Sequence, residues 1–468
     1  MEKWALFGTG QLLEFYNGLM KFLNISPLLY VDNDCNKWGR RGDIEVSSPQ
    51  SLLYDDYNVL ISCGAEDSIL KQLLDMCISE DKIYTYSKLL HKYACDVCEL
   101  KTERYRPNKY KTVIIDAYEG LGWGGMEMWS YRVAEGIGAK HNVVVYGSDI
   151  QKKHEEYESI IKRFTYQKFK GTMHWASIYE IAKDMERRRP FVLINNWSDH
   201  VMAAALIVKK RYPADVFVIS MVHNDAPFMY RRMQAFEKET DLFCGVSKTI
   251  GKKLIDEYGF SQSKVISRNN FVISPPKLGE RKINKNKPIR IGWGARIEKF
   301  QKRADLIPLL INTLEKRGIK YRLDIAGSGE IDCINTIEDY ILSHKLSEKI
   351  FLRGFLTQNE MVKFWNDIDI YINFSDFEGS SLAMLEAMSC GVVPVVTNVS
   401  GVSEIVSNDN GVVVPIGDID GIVSGIEMLD KNRDLLETFS KKCVEEVTDK
   451  CDYDEYIRFL TDILGLND

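Results

Sequence analysis

Two short stretches of this 468-residue chain hold side chains that together can grip an anion. FEGSSLAMLEAMSCG sets Glu378 and Glu386 eight residues apart, with Gly379, Ser380 and Ser381 between the first glutamate and an apolar helical run that begins at Leu382. A strand, a tight loop and a helix are expected there. Such a loop aims backbone N–H groups and the positive end of the helix dipole at an anion, and a phosphate suits it. Glu386 then falls about two turns into the helix, while Glu378 stands at the loop mouth. In GWGARIEKFQKRAD, Arg296 and Lys302 follow a strand signal and precede an amphipathic helix, so two cations on one loop require an anionic partner. Taken singly, each stretch has a plainer reading: Glu386 as a solvated helix residue beside a simple turn, and Lys299, Lys302 and Arg303 as a solvated basic face.

Further turns carry glycine. DIAGSGE holds Gly327, LRGFLTQNEM holds Phe355 and Leu356, and LGWGGMEMWSYRVAEGI joins a strand to a helix through Gly122, Gly124 and Gly125, which allow close backbone approach to a ligand or simply cap the helix. VISMVHNDAPF puts His223 at a strand end, where a lone histidine is more often structural than catalytic. In CGVSKTIGKKL and VISRNNFV, a helix-capping serine and an asparagine ahead of a linker read as structural.

The elements that must position these residues fall into three segments, starting at WALFGTG, TVIIDAY and IRIGW, each alternating strand and helix signals in the manner of parallel α/β layers. Charged, Pro-bearing stretches at 101–111 and 275–288 separate them. The chain is therefore expected to be α/β, with a small Rossmann-like domain at 1–105 ahead of two tandem doubly wound Rossmann-like domains at 106–285 and 286–468. Strands are expected at 113–116, 143–146, 192–195, 216–221 and 242–246, then at 289–292, 322–326, 350–352, 369–373, 393–396 and 411–414, with mostly helix after Ile419. Two such sheets make a cleft where ligands gather at strand carboxyl ends.

From about Lys111 to Asn467 the chain resembles a family 4 glycosyltransferase of the GT-B type, with EGSSLAMLEAMSCG as the most specific match. Ser380 and Ser381 stand where many members have an aromatic or small residue and then Gly. The resemblance implies a retaining glycosyltransferase that moves a sugar from a UDP- or GDP-sugar to an acceptor hydroxyl, in cell-surface polysaccharide or lipid-linked glycan assembly. It implies that Arg296 and Lys302 hold the nucleotide diphosphate and that Glu386 accepts bonds from ribose hydroxyls. Glu378 and His223 would touch the donor sugar, and backbone around Gly327, Phe355 and Leu356 would line the cleft and meet the base. The loop Gly379, Ser380, Ser381, Leu382 and the turn at Gly124 and Gly125 would face the phosphates. No metal and no cofactor beyond the sugar nucleotide is expected. The partners would be that donor and a glycan, lipid-linked or protein acceptor.

WALFGTGQLLEFYNGLMKF followed by LLYVDND is most of a dinucleotide fingerprint, ending near Asp32, with Leu13 in place of the third glycine. It resembles small Rossmann-like domains fused to some sugar-modifying enzymes and reads equally as a nucleotide site or as a degenerate fold for protein contacts. Cys95 and Cys98 form a lone CxxC without a second pair, and Asp367 and Asp369 in NDIDI precede a core strand, so neither is read as a metal site. Ten cysteines without regular spacing, and an amino terminus without an apolar leader, fit reduced thiols in a cytoplasm.

A composition of 45% hydrophobic and 27% charged residues with 12 Pro excludes wholesale disorder, and no apolar run spans a bilayer. Of the −6 formal charge, residues 106–285 carry about +10 and the rest about −16. KKRYP, MYRRM and ERRRP in that middle segment suit an anionic membrane surface bearing a lipid-linked acceptor, or are solvated faces. Nucleic acid is not an expected partner of an acidic chain with no recognition motif. The competing readings are a non-catalytic glycosyltransferase-like subunit that binds a glycoprotein or partner enzyme, and a phosphorylase-like enzyme with a lysine-bound pyridoxal cofactor.

Overall fold

TVIID, FVLIN and YIN are apolar along their length rather than alternating, which belongs to strands covered on both faces of a parallel sheet. The computed structural model describes residues 2–97, 112–117, 125–148, 165–169, 175–196, 198–273, 283 and 285–466. In it, Thr112–Asp116, Phe191–Asn195 and Ile370–Asn373 are buried at every position.

Three sheets succeed one another along the chain. The first holds β1 (Lys3–Phe7), β2 (Pro27–Val31), β3 (Gly39–Arg41), β4 (Ile44–Ser47), β5 (Tyr57–Ile61) and β6 (Ile83–Tyr84) in the order β3-β4-β2-β1-β5-β6, parallel except for β3 against β4. The second holds β7 (Thr112–Asp116), β8 (Asn142–Ser148), β9 (Thr165–Phe169), β10 (Phe191–Asn195), β11 (Val216–Val222), β12 (Leu242–Gly245) and β13 (Val265–Ser267) in the order β13-β12-β11-β10-β7-β8-β9. The third holds β14 (Ile289–Gly294), β15 (Tyr321–Ala326), β16 (Ile350–Gly354), β17 (Ile370–Asn373), β18 (Val393–Thr397) and β19 (Val412–Val414) in the order β16-β15-β14-β17-β18-β19, parallel throughout. The architecture is the expected α/β one. The edge strands β9 and β13 lie outside the expected spans: TYQKF is mostly polar with only its last residue buried, and β13 is three half-buried residues.

The chain divides into two compact units, residues 1–220 with 227–242, and residues 221–226 with 243–468. In the first unit one apolar core runs through both the amino-terminal sheet and strands of the second sheet, taking in Trp4, Leu6, Leu19, Ile114, Val144 and Leu193. The stretch VMAAALIV lies in the helix Asp199–Arg211, buried from Asp199 to Val208 as a core helix should be. Polar contacts add to the joint between the first hundred residues and the rest of this unit. Ser87 donates to Asp199 at 2.8 Å, Arg232 pairs with the same carboxylate, and His91 meets Glu239 at 2.9 Å.

The dinucleotide-type turn is present after β1, and Leu13 opens the helix Leu13–Phe22 as a buried core residue. Asp32, the acid of the fingerprint, is engaged by that turn: it accepts from the Thr9 N–H at 2.9 Å and the Thr9 hydroxyl at 2.6 Å, and from the Asp34 N–H at 3.0 Å. Burial opposes its ionisation, but these bonds and Lys37 hold its pKa down at about 2.

In the second unit, the helices Ile419–Lys431, Arg433–Lys450 and Tyr453–Ile463 supply the helical end expected after Ile419. Tyr453 and Tyr456 of the last helix pack on Phe271 with ring centres 5.1 and 4.8 Å away, and the Val272 N–H donates to the Cys451 carbonyl at 2.9 Å. No helix among the described residues is long and apolar enough to cross a membrane.

Candidate functional site

β14 and β17 are neighbours in the third sheet, so the loops leaving their carboxyl ends lie side by side, where ligands of open α/β sheets gather. Lys302, on the first loop, is ion-paired with Glu378 on the second. Glu378 is 5% exposed and fully engaged: the oxygen facing Lys302 also accepts from the Ser375 hydroxyl at 2.8 Å and from Asn373 Nδ2 at 3.4 Å, and its other oxygen accepts from Gln301 Nε2 at 3.3 Å. Gln301 Oε1 in turn accepts from Arg296 Nη2 at 3.4 Å. Arg296, Lys302 and Glu378, expected together from the sequence, thus form one connected group.

The two loops are also sewn together by backbone and by a second ion pair. The Asp376 N–H donates to the Gln301 carbonyl at 3.0 Å, and Arg303 Nη1 reaches the Asp376 carboxylate at 3.1 Å. Arg303 adopts a left-handed φ of +53°, a conformation that costs a side-chain-bearing residue ~1–2 kcal/mol, and its pairs with Asp376 and Asp305 hold it there. The Glu298 carboxylate caps the turn by accepting from the Gln301 and Lys302 N–H groups at 3.1 and 2.7 Å.

Gly379 to Ser381 lead into the helix Leu382–Ser389, whose N-cap Ser381 accepts from the Met384 N–H at 3.4 Å. The remaining N–H groups of a first turn have no acceptor within the helix, so this end is suited to an anion. Gly379 is required by close approach: a Cβ there would lie 2.0 Å from the His223 carbonyl oxygen. The Asp225 N–H donates to the Glu378 carbonyl at 3.2 Å, and Asp225 itself is held by Lys253 at 2.7 Å and by Ser400. Asn270 Nδ2 donates to the Ser380 carbonyl at 3.2 Å, and Ser247 caps the helix Lys248–Asp256, so the asparagine bonds the loop as well as preceding the linker.

His223 therefore sits against the glutamate loop. It is half-buried, and desolvation pushes its pKa down to about 3, so the ring is neutral at neutral pH. Below its ordinary value near 6.5 an unfolded chain binds a proton that the folded one refuses. Its contribution to stability is kept above about pH 6.5 and lost as pH falls from there through about 3. Urea unfolding should show wild type losing more stability than His223→Gln between about pH 7.5 and about pH 5. Equal losses would contradict the neutral, desolvated ring.

At the carboxyl ends of β15 and β16, Gly327 has φ +144°, and a Cβ there would lie 1.9 Å from the Ala295 carbonyl oxygen on the β14 loop. Its N–H donates to the Gly354 carbonyl at 2.8 Å. Phe355 and Leu356 come next, half-buried, and lead through the Thr357–Glu360 capping box into the helix Gln358–Asn366. Gln358 Nε2 donates to Glu386 Oε1 at 3.1 Å. Gly125 opens the helix Gly125–Gly138 in the first unit, and Gly124 lies outside the described residues.

Gln301, Asn373, Ser375, Gln358 and Asp225 were not singled out from sequence. Only Gln301 carried a signal, its place between Arg296 and Lys302. Asp369 is buried and ion-paired with Arg290 at 2.8 Å, the role of a structural anchor for β14. Among the described residues, the donor atoms of His91, Cys95 and Glu239 come within 4.8 Å of one another, with His91 hydrogen-bonded to Glu239; Cys98 lies outside the described residues.

Residues 279–445 match the family model for glycosyl transferases group 1, and residues 123–272 match that for Glycosyltransferase Family 4. The Escherichia coli O-antigen biosynthesis glycosyltransferase WbnH is 28% identical over 167 residues, 35% of this chain and 44% of that protein. The chain thus aligns with less than half of that curated relative. A structure of S. aureus TarM in complex with UDP and glycan ligands superposes with a TM-score of 0.63 at 13% identity, over 76% of this chain and 99% of that one. Anabaena HepE in complex with UDP and glucose gives 0.63 at 12% identity, over 76% of this chain and 100% of that one. The fold is that of a GT-B glycosyltransferase.

Proposed function

We propose that this chain, matched over residues 123–272 and 279–445 by glycosyltransferase models, transfers a sugar from a nucleoside-diphosphate sugar to an acceptor hydroxyl with retention at the anomeric carbon. The observation that carries the reading is the meeting of Arg296, Lys302 and Glu378 at the carboxyl ends of β14 and β17, beside the start of the helix Leu382–Ser389. The helix end and the two cations answer a diphosphate. Glu386 answers ribose hydroxyls, and backbone at Phe355 and Leu356 meets the base. UDP is the nucleotide to try first, since the TarM and HepE structures hold it. Cell-surface glycan assembly is the setting suggested by the O-antigen enzyme.

In the reaction the bond from the anomeric carbon to the diphosphate oxygen breaks, its electron pair leaving with the phosphate, and the acceptor oxygen forms the new bond. The acceptor proton passes to the departing phosphate. Negative charge grows on that phosphate, and Arg296 and Lys302 stabilise it without a metal. Glu378 already accepts from Lys302, Ser375, Asn373 and Gln301, so a sugar hydroxyl takes the place of Lys302 as the lysine turns to the diphosphate. His223, uncharged, lies next to the same loop to meet the sugar.

Three domains, at 1–105, 106–285 and 286–468, organise the chain in this reading, with acceptor recognition in the middle one. A lipid-linked acceptor at an anionic membrane would rest on the net positive charge of residues 106–285, not on the basic clusters as such. Arg188, Arg189, Lys209, Arg231 and Arg232 of those clusters are each paired with a carboxylate. The test is nucleotide release from UDP-, GDP-, ADP- and TDP-sugars with EDTA present. One nucleotide class should be released, indifferent to EDTA, with the anomeric proton of the product showing retention by NMR. No release and no thermal shift with any of the four would sink the reading.

A further inference from the structure

The two glutamates of the E-x7-E pair are each held by the side-chain amide of a glutamine that arrives from another strand end. Gln301, on the β14 loop, is 8% exposed. Its Nε2 donates to the Phe377 carbonyl at 3.1 Å and to Glu378 Oε2 at 3.3 Å, while its Oε1 accepts from Arg296 at 3.4 Å. Its backbone is pinned as well, by Glu298 at the N–H and Asp376 at the carbonyl. A guanidinium only donates and an ionised carboxylate only accepts, so the amide between them has one orientation. No other neutral side chain of this length links a cation to an anion in that way: leucine has neither group, and glutamate would face Glu378 with like charge.

Gln358 does the matching job two residues after Leu356. As the first residue of the helix Gln358–Asn366 it stands on a turn fixed by the Thr357–Glu360 capping box, and its Nε2 reaches Glu386 Oε1 at 3.1 Å. Glu386 sits on a different helix, so this bond ties its carboxylate to the turn that follows Phe355 and Leu356.

Resting on the nucleotide-sugar reading of the site, we propose that Gln301 and Gln358 are positioning residues with separate tasks. Gln301 sets Arg296 and Glu378 relative to each other at the reacting end, and Gln358 sets Glu386 at the ribose end. Loss of a hydrogen bond to a charged group is worth about tenfold or more in the step that depends on it.

The test uses Gln301→Leu, Gln301→Glu and Gln358→Leu in the full chain, with donor turnover, pH–rate profiles and competition by UDP and 2′,3′-dideoxy-UDP. Gln358→Leu should raise KM for the donor about tenfold, leave kcat within about twofold, and narrow the preference for UDP over the dideoxy nucleotide. Gln301→Leu should lower kcat about tenfold with little change in KM. In Gln301→Glu two carboxylates share the position, so the acid limb of the pH–rate profile should move up by about one unit or more, a shift that lost packing alone does not produce. If the wild type turns over and all three variants keep its kcat, KM, nucleotide preference and pH profile, the inference is overturned while the site reading stands. If the wild type neither binds nor turns over any sugar nucleotide, the site reading fails first and this inference with it.

Discussion

Lys302→Ala should cut turnover at saturating donor by ~10²–10³-fold, the usual loss when one preorganised donor to a developing oxyanion is removed. The same change strips Glu378 of its cationic partner. That carboxylate is 5% exposed, so leaving it buried without the lysine is destabilising and the melting temperature should fall by several degrees. The two effects separate in the double variant Lys302→Ala/Glu378→Gln, where the neutral amide no longer needs a cation. Thermal stability should return in the double variant, and turnover should not. Calorimetry and the nucleotide-release assay on wild type and both variants check this. A Lys302→Ala protein that turns over like wild type would remove the lysine from the chemistry, whatever its stability.

Gly379→Ala is the second large effect, and it acts through backbone. An added Cβ would lie 2.0 Å from the His223 carbonyl oxygen, 2.6 Å from its carbon and 2.8 Å from Val246 Cγ2. Two of those atoms are main chain, so the strand end carrying His223 and the loop carrying Glu378 must part by about an ångström or more. The Asp225 N–H bond to the Glu378 carbonyl, 3.2 Å long, goes with them. Overpacking of this kind costs ~1–3 kcal/mol, and a displacement of about 1 Å at reacting groups costs ~10²-fold in rate. Expected results are a lowered urea midpoint and turnover reduced about 100-fold. Wild-type rate and stability in Gly379→Ala would show that the His223 segment does not sit against this loop as described.

Local signals could be read in advance. A strand, a glycine turn and a helix were legible around FEGSSLAMLEAMSCG, and the strand Ile370–Asn373, the turn at Gly379 and the helix Leu382–Ser389 stand there, with Glu378 at the loop and Glu386 within the helix. Arg296 and Lys302 stood out as two cations between a strand and an amphipathic helix, and the fold connects both to Glu378. The residues that arrange them were not legible, because Gln301 meets Glu378 only when β14 and β17 are laid side by side, 77 positions apart in sequence. A glutamine or serine carries no charge pattern to betray such a partnership. The amino-terminal fingerprint shows the converse: GTG and Asp32 read locally as either a nucleotide turn or a degenerate fold for protein contacts, whereas the pairing of Asp32 with Thr9, 23 residues away, is visible only in the fold. The basic clusters RRR and RR suggested an outward face, and their carboxylate partners Asp184, Asp215, Glu66 and Asp199 are brought to them by the fold.

The central claim is that a nucleoside diphosphate binds at the carboxyl ends of β14 to β17. Hydrogen exchange by mass spectrometry, with and without saturating UDP, tests it without any mutation. Protection is predicted in peptides covering 296–303, 355–358 and 379–386, with no change around Gly8, Thr9 and Asp32. Protection confined to the amino-terminal turn, or none anywhere at saturating nucleotide, would contradict it.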